Sequence, residues 1–156
     1  MKGLISRYAQ MLAREIKPFI DQTYRTRKAA VDTAAGGSSL GALAALVAGM
    51  DYPRVFGKLA LLSPSVWWDG RSILRLIEAG TPREPRPRIW LDTGTAEGRS
   101  AAKVVADARL LRDALAGKGW REGADLHYEE AEGHAHNEQA WGDRFGRVLE
   151  YLFPAR

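Results

Sequence analysis

AAVDTAAGGSSLGALAALVAGM, residues 29–50, changes character twice within its length, and those two changes decide the fold. Ala29 to Ala35 is a short run of mostly small, apolar residues and predicts a strand, which Gly36-Gly37 ends just before Ser38 and Ser39. Leu40 to Met50 is rich in alanine and leucine, so a helix follows, closed by Asp51-Tyr52-Pro53. A strand that turns sharply into a helix is the repeating half of a parallel α/β architecture.

The same alternation extends outward. Lys58 to Leu62 predicts a buried strand, Ser72 to Ala79 a helix, and Arg88 to Asp92 a strand entering Thr93-Gly94-Thr95. A helix from about Ala101 to Leu115 comes next, then a strand at Leu126 to Glu130 and a loop at Ala131 to His136. The closing helix, Glu138 to Leu152, carries Trp141, Phe145, Val148 and Leu152. Ahead of the quoted stretch, Leu4, Ile5, Tyr8, Leu12, Ile16 and Ile20 recur at helical spacing, with Pro18 near the end of that helix. Strands that alternate with helices pair in parallel through crossovers, so the expectation is a three-layer α/β fold with a small, mostly parallel sheet of about four strands flanked by helices. Ligands in such folds bind at the carboxyl ends of the strands.

At 156 residues, 46% hydrophobic and 27% charged, the chain is expected to form one globular domain over residues 1–156. The net charge of +4 is spread among interspersed acids and bases, and the Arg83–Arg88 cluster is broken by Pro85 and Pro87 into an extended connector. Nucleic acid is therefore not an expected partner. The absence of cysteine rules out disulfides, thiolate metal sites and cysteine nucleophiles, which leaves serine to carry any covalent chemistry. The first residues lack the uninterrupted apolar region of a leader, and nothing reaches the length of a membrane span. The expectation is a cytoplasmic protein with no membrane partner and no cofactor.

Gly37-Ser38-Ser39-Leu40-Gly41 matches G-x-S-x-G, and it stands between a strand and a helix, the context in which that motif presents a nucleophile. Ser39 is the candidate nucleophile, with Ser38 one residue off the motif. The backbone N–H of Leu40, at the positive end of the following helix, is the candidate oxyanion donor. Serine needs a base, and the chain has three histidines. His127 falls inside a strand and reads as structural, while His134 and His136 lie in the loop after the last strand, where hydrolases with this motif place the base. The acid belongs after the preceding strand, where Glu97 lies in the loop and Asp92 stands near the strand end. Glu97 also suits the N-terminus of the next helix, and Asp92 a turn cap. His134-x-His136 could face a metal, but no third ligand is spaced to match, so no metal is expected. Trp67 and Trp68, just past Ser63-Pro64-Ser65, are candidate substrate-binding walls for an acyl or aromatic group, or simple packing residues.

With these residues placed, the chain resembles the esterase family of α/β-hydrolases that includes the enterochelin esterase-like and esterase D-like enzymes. The segments that carry the likeness are Glu15 to Asp21 with Tyr24-Arg25-Thr26, then Gly37 to Gly41, Tyr52-Pro53, Phe56-Gly57-Lys58 and Leu62 to Ser65 with Trp67-Trp68. Leu91 to Glu97 and Gly133 to Glu138, with Trp141 and Arg144, complete it. The resemblance implies a truncated α/β-hydrolase fold and a serine carboxylesterase acting through an acyl-enzyme. It selects His136, followed by Asn137-Glu138 and then Trp141, as the base, and Glu97 as the acid, although some enterochelin-type members are described as Ser-His dyads.

The likeness covers only the C-terminal half of a family member. The earlier strands, and the loop that donates a second oxyanion N–H, have no counterpart in the quoted segments. Ala42 also replaces a common second glycine and is expected to crowd the turn. The Ala29–Ala35 strand would then be an open sheet edge beside the nucleophile, which implies a homodimer or higher homo-oligomer. The rival expectation is an inert hydrolase half-domain that serves as an interaction module.

Overall fold

The computed structural model describes residues 2–155. It opens on α1 (Lys2–Met11), a π-helical segment at Leu12–Ile16 and α2 (Lys17–Thr23). Pro18 sits in the first turn of α2, where its missing N–H does no harm, and the wider π turns precede it. Four strand-to-helix units follow: β1 (Ala34–Ser38) with α3 (Leu40–Asp51), β2 (Lys58–Leu62) with α4 (Trp68–Ala79), β3 (Arg88–Gly94) with α5 (Ala101–Gly117), and β4 (Leu126–Ala131) with α6 (Glu138–Leu152). The sheet order is β1-β2-β3-β4 and every pairing is parallel.

That order explains the layers. Successive crossovers that step in one direction across a sheet, with one hand, place their helices on one face. Leu59, Leu61, Ile89 and Leu91 point to that face, into the main core with Ala9 and Ala13 of the N-terminal helix, Leu43 and Leu46 of α3, Ile73 and Ile77 of α4, and Leu111 and Leu115 of α5. The alternate residues Ala60, Leu62 and Trp90 meet Val148 and Leu152 of α6, which covers the other face.

Two expectations about the first third of the chain need correction. The strand lies at Ala34–Ser38, while Ala30–Asp32 is a 3-10 turn. The glycines extend the strand: a side chain at Gly36 would come within 3.1 Å of the Ala60 side chain on β2. The apolar stripe of the first helix is only in part its packing face, with Ile5 and Leu12 packed against the core. Leu4, Tyr8, Ile16 and Ile20 are exposed, whereas Ala9 and Ala13 are buried because small side chains let this helix lie close against α3. Ala42 is fully buried in the main core. β1 is a sheet edge, as expected. Among the described residues no helix is long and apolar enough to cross a membrane.

Candidate active site

All four strands end toward one place. Ser39 follows β1, Ser63 and Ser65 follow β2, Glu97 follows β3 and His136 follows β4. A cavity of about 170 Å³ is lined by Ser39, Pro64, Ser65, Trp67, Glu97, Val104 and His136. The sheet thus gathers side chains that are 24 to 97 residues from Ser39 in the sequence.

Ser39 has φ 57° and ψ −123°, a backbone region that favours glycine, and such strain costs on the order of 1–3 kcal/mol. It is fixed from both sides: the Ser39 N–H donates to the Leu62 carbonyl at 3.0 Å, and its own carbonyl accepts from Ser65 N–H at 3.2 Å. Gly37 makes the turn possible, because a Cβ there would lie 2.6 Å from the Gly41 carbonyl carbon. A Cβ on Gly41 would meet open space, so only the first glycine of the motif is required by this close approach. The Ser39 hydroxyl lies 3.0 Å from that of Ser65. No hydrogen bond joins Ser39 to His136, although both face the same cavity.

Glu97 is 6% exposed and saturated with donors. One carboxylate oxygen accepts from Gly94 N–H at 2.6 Å and from the Ser63 hydroxyl, and the other accepts from His136 Nδ1 at 2.7 Å. A proton on Nδ1 leaves Nε2 as the lone-pair nitrogen, which is the tautomer a general base requires. The His136 ring also stands edge-on to Trp141, with centroids 5.1 Å apart.

The loop that brings His136 to Glu97 is docked by the Thr93-Gly94-Thr95 turn. Thr95 N–H donates to the Ala131 carbonyl at 3.0 Å, Ala96 N–H to the His134 carbonyl at 3.1 Å, and the Thr95 hydroxyl accepts from Gly133 N–H at 2.8 Å. A Cβ on Gly94 would collide with the His134 carbonyl, so this approach needs glycine.

Asp92, the alternative acid, serves a different purpose. It is fully buried in an ion pair with the fully buried Arg144 at 2.8 Å, and it accepts from Ser63 N–H at 3.2 Å and Trp90 Nε1 at 2.8 Å. His134 Nδ1 lies 3.1 Å from Arg144 Nη1 and 3.3 Å from the Ala140 carbonyl oxygen. His134 and His136 therefore turn to separate partners. His127 stacks on Trp90 with centroids 4.2 Å apart, a packing role in keeping with its place in a strand. Trp67 and Trp68 are half-exposed and meet edge to face.

Sequence reasoning gave Ser63, Ser65 and Arg144 no role. The Ser63 hydroxyl accepts from Trp141 Nε1 at 3.0 Å and Arg144 Nη2 at 3.1 Å while donating to Glu97, which ties the buried ion pair to the acid. Ser63 has φ 45°, a second left-handed residue at the same edge of the sheet. The available signals were hydroxyls at the carboxyl end of a buried strand and an arginine on the apolar stripe of α6, which needs a buried carboxylate.

The family model described as "Putative esterase" matches residues 2–152. Uncharacterized protein YbbA of Bacillus subtilis is 23% identical over 155 residues, which cover 97% of this chain and 61% of that one. The iron(III) enterobactin esterase of Escherichia coli is 35% identical over 92 residues, 55% of this chain and 21% of that one. Among solved structures, the enterobactin esterase FES of Shigella flexneri, in the presence of enterobactin, superposes with a TM-score of 0.80 at 23% identity over 95% of this chain and 37% of its own. The BES protein of Bacillus cereus does so at 0.73 and 21% identity over 94% of this chain and 55% of its own. These likenesses establish the fold, and the chain spans 61% of YbbA's length and about two fifths of the FES chain.

Proposed function

This chain belongs to the Esterase family, and from that premise we propose that it hydrolyses carboxylic esters through a covalent acyl-enzyme on Ser39. The observation that carries the reading is the Glu97–His136 contact at 2.7 Å on the cavity that Ser39 also lines. In this reading Ser39 rotates about its side-chain bond from Ser65 toward His136, whose Nε2 takes the proton as Oγ attacks the ester carbonyl. Catalytic hydrogen bonds of this kind often close only with substrate in place. The Leu40 N–H, first in α3, receives the developing oxyanion. His136 then protonates the leaving alkoxide and activates the water that releases the acid, with Glu97 stabilising the imidazolium.

The partner we propose is a second copy of this chain, paired along the open edge of β1. That edge carries no charge and no proline, the usual deterrents to pairing, and it adjoins Ser39. A neighbouring groove of about 360 Å³, lined in part by Gly36, Gly37, Phe145, Leu149 and Phe153, gives such a pairing apolar surface to bury. Sedimentation should show a dimer or larger species, and a monomer at micromolar concentration would refute it.

Release of p-nitrophenol from p-nitrophenyl acetate and butyrate near pH 8, measured beside Ser39→Ala, tests the activity. Turnover that disappears in the variant supports it. Equal rates in two folded proteins, with no fluorophosphonate label on Ser39, would instead favour an inert interaction module.

A further inference from the structure

Beside the catalytic cavity lies a larger groove, about 800 Å³, lined by Gly3, Leu4 and Ile5 of α1, Leu40, Trp67, Trp68 and Asp69. The two spaces share Trp67 as a wall. The groove's lining is almost wholly apolar, with Asp69 the single charged residue. Leu4 is 82% exposed, and Leu40, Trp67 and Trp68 are also exposed. Large apolar side chains that converge on a concavity without reaching the core mark a binding surface.

The aromatic wall is built rather than loose. Trp68 N–H donates to the Ser65 carbonyl at 3.0 Å. The following residues Asp69, Gly70 and Arg71 all take left-handed conformations. Arg75 holds that bend by donating to the Gly70 carbonyl at 2.5 Å and the Asp69 carbonyl at 3.2 Å. Arg71 pairs with the buried Asp107 of α5 at 2.5 Å. A bend of this kind, anchored at both ends, keeps the tryptophan pair in place before any ligand arrives.

The chemistry assigns the groove a direction. The leaving-group oxygen must lie near His136, which protonates it, and the carbonyl oxygen near the Leu40 N–H. His136, Glu97 and Val104 line the small cavity and not the groove, whereas the Leu40 side chain lines the groove. The alcohol portion therefore belongs with His136, and the acyl portion extends past Leu40. We propose that this groove is the acyl-binding site, that it takes large apolar acyl groups, and that Leu4 together with Trp67 and Trp68 sets the acyl preference. The assignment rests on Ser39 being the nucleophile.

The test compares kcat/KM for p-nitrophenyl acetate, butyrate and octanoate in the wild type, Leu4→Glu and Leu110→Glu. Leu110 is exposed on α5 and lines neither cavity. Each methylene buried in an open groove adds part of its full transfer energy, so kcat/KM should rise about tenfold or more from acetate to octanoate. Leu4→Glu should lower the octanoate-to-acetate ratio about tenfold, and Leu110→Glu should keep the wild-type ratio. A flat series, or a ratio that Leu4→Glu leaves unchanged, in a protein whose turnover depends on Ser39 overturns the groove assignment while leaving the esterase reading intact. If no ester is turned over, the esterase reading fails, and the groove is judged by titrating octanoate into Ser39→Ala while following tryptophan fluorescence. A saturable change that Leu4→Glu abolishes supports it, and no saturable change overturns it.

Discussion

Glu97→Gln changes one atom and should disable the base through its tautomer. The carboxylate oxygen that faces Gly94 N–H and the Ser63 hydroxyl accepts from both, and from the Thr93 hydroxyl at 3.5 Å. The Ser63 proton has no other acceptor, because the remaining neighbours of its oxygen, Trp141 Nε1 and Arg144 Nη2, are themselves donors. A glutamine must therefore place its carbonyl oxygen on that side and its NH₂ toward His136. Nδ1 can then only accept, the imidazole proton moves to Nε2, and the nitrogen facing Ser39 loses its lone pair. Acid-to-amide changes that fix the wrong tautomer lower turnover by roughly 10³–10⁴, equivalent to about 4–5.5 kcal/mol of barrier. The assay is kcat on p-nitrophenyl acetate with KM measured alongside, and ¹⁵N chemical shifts of His136 read the tautomer directly. A variant within tenfold of wild-type kcat would refute the reasoning and assign Ser39 and His136 to a dyad, with Glu97 merely anchoring the loop.

Three other perturbations probe the surroundings. Asp92→Asn leaves the buried Arg144 uncompensated and turns an amide NH₂ toward existing donors, which should destabilise by about 3–5 kcal/mol and lower Tm by roughly 6–20 °C in calorimetry. A Tm within 2 °C or so of wild type would show that the pair is dispensable. Gly94→Ala drives a Cβ into the His134 carbonyl and displaces the loop that carries His136, so fluorophosphonate labelling of Ser39 should slow about 10²-fold; a threefold change or less would contradict the docking argument. Hydrogen bonds from Arg109, at 2.7 and 2.8 Å, and from the Tyr128 hydroxyl, at 2.9 Å, hold the Glu130 carboxyl below its ordinary value of 4.5. A depressed folded-state pKa gives stability that is complete above the unfolded value and lost as pH falls through the folded one. Wild type should therefore exceed Glu130→Gln by about 0.5–1 kcal/mol at pH 7 in urea titrations and lose that advantage in acid, whereas a difference equal at pH 7 and pH 3 would contradict it.

The alternation of strands and helices was legible because each element has one strong pattern. Within Lys58–Leu62 the last four residues are a continuous buried run, and Leu40–Asp51 is rich in good helix formers. What the sequence hid depended on neighbours far along the chain. Gly36 reads locally as a strand terminator, yet it lies within β1 because Ala60 presses against it. The stripe from Leu4 to Ile20 has the right period for a packing face, but of it only Ile5 and Leu12 pack on the core, and Ala9 and Ala13 are the buried residues because closeness to α3 matters more than side-chain size. The approximate positions of Ser39, Glu97 and His136 were readable from motif and order along the chain. The residue pattern left Glu97 and Asp92 both open and the resemblance pointed to Glu97; the physical reason that Asp92 is not beside His136 appears only where Arg144, 52 residues beyond it, closes on it.

The cost of the site bears on whether the chain is a catalyst or an inert module. A domain of this size has about 5–15 kcal/mol of net stability. Ser39 and Ser63 each adopt a left-handed backbone costing on the order of 1–3 kcal/mol, and Glu97 keeps a carboxylate almost wholly away from water. None of these features enlarges either core: Ser39 and Glu97 line the cavity, and the Ser63 hydroxyl is spent on holding Glu97. A surface kept only for docking another protein would lose nothing by replacing Ser39 with a residue in a relaxed turn or Glu97 with an apolar side chain, and would gain stability by doing so. Strain and buried charge concentrated around His136 thus support the proposed chemistry at Ser39, which the Ser39→Ala comparison tests against recognition alone.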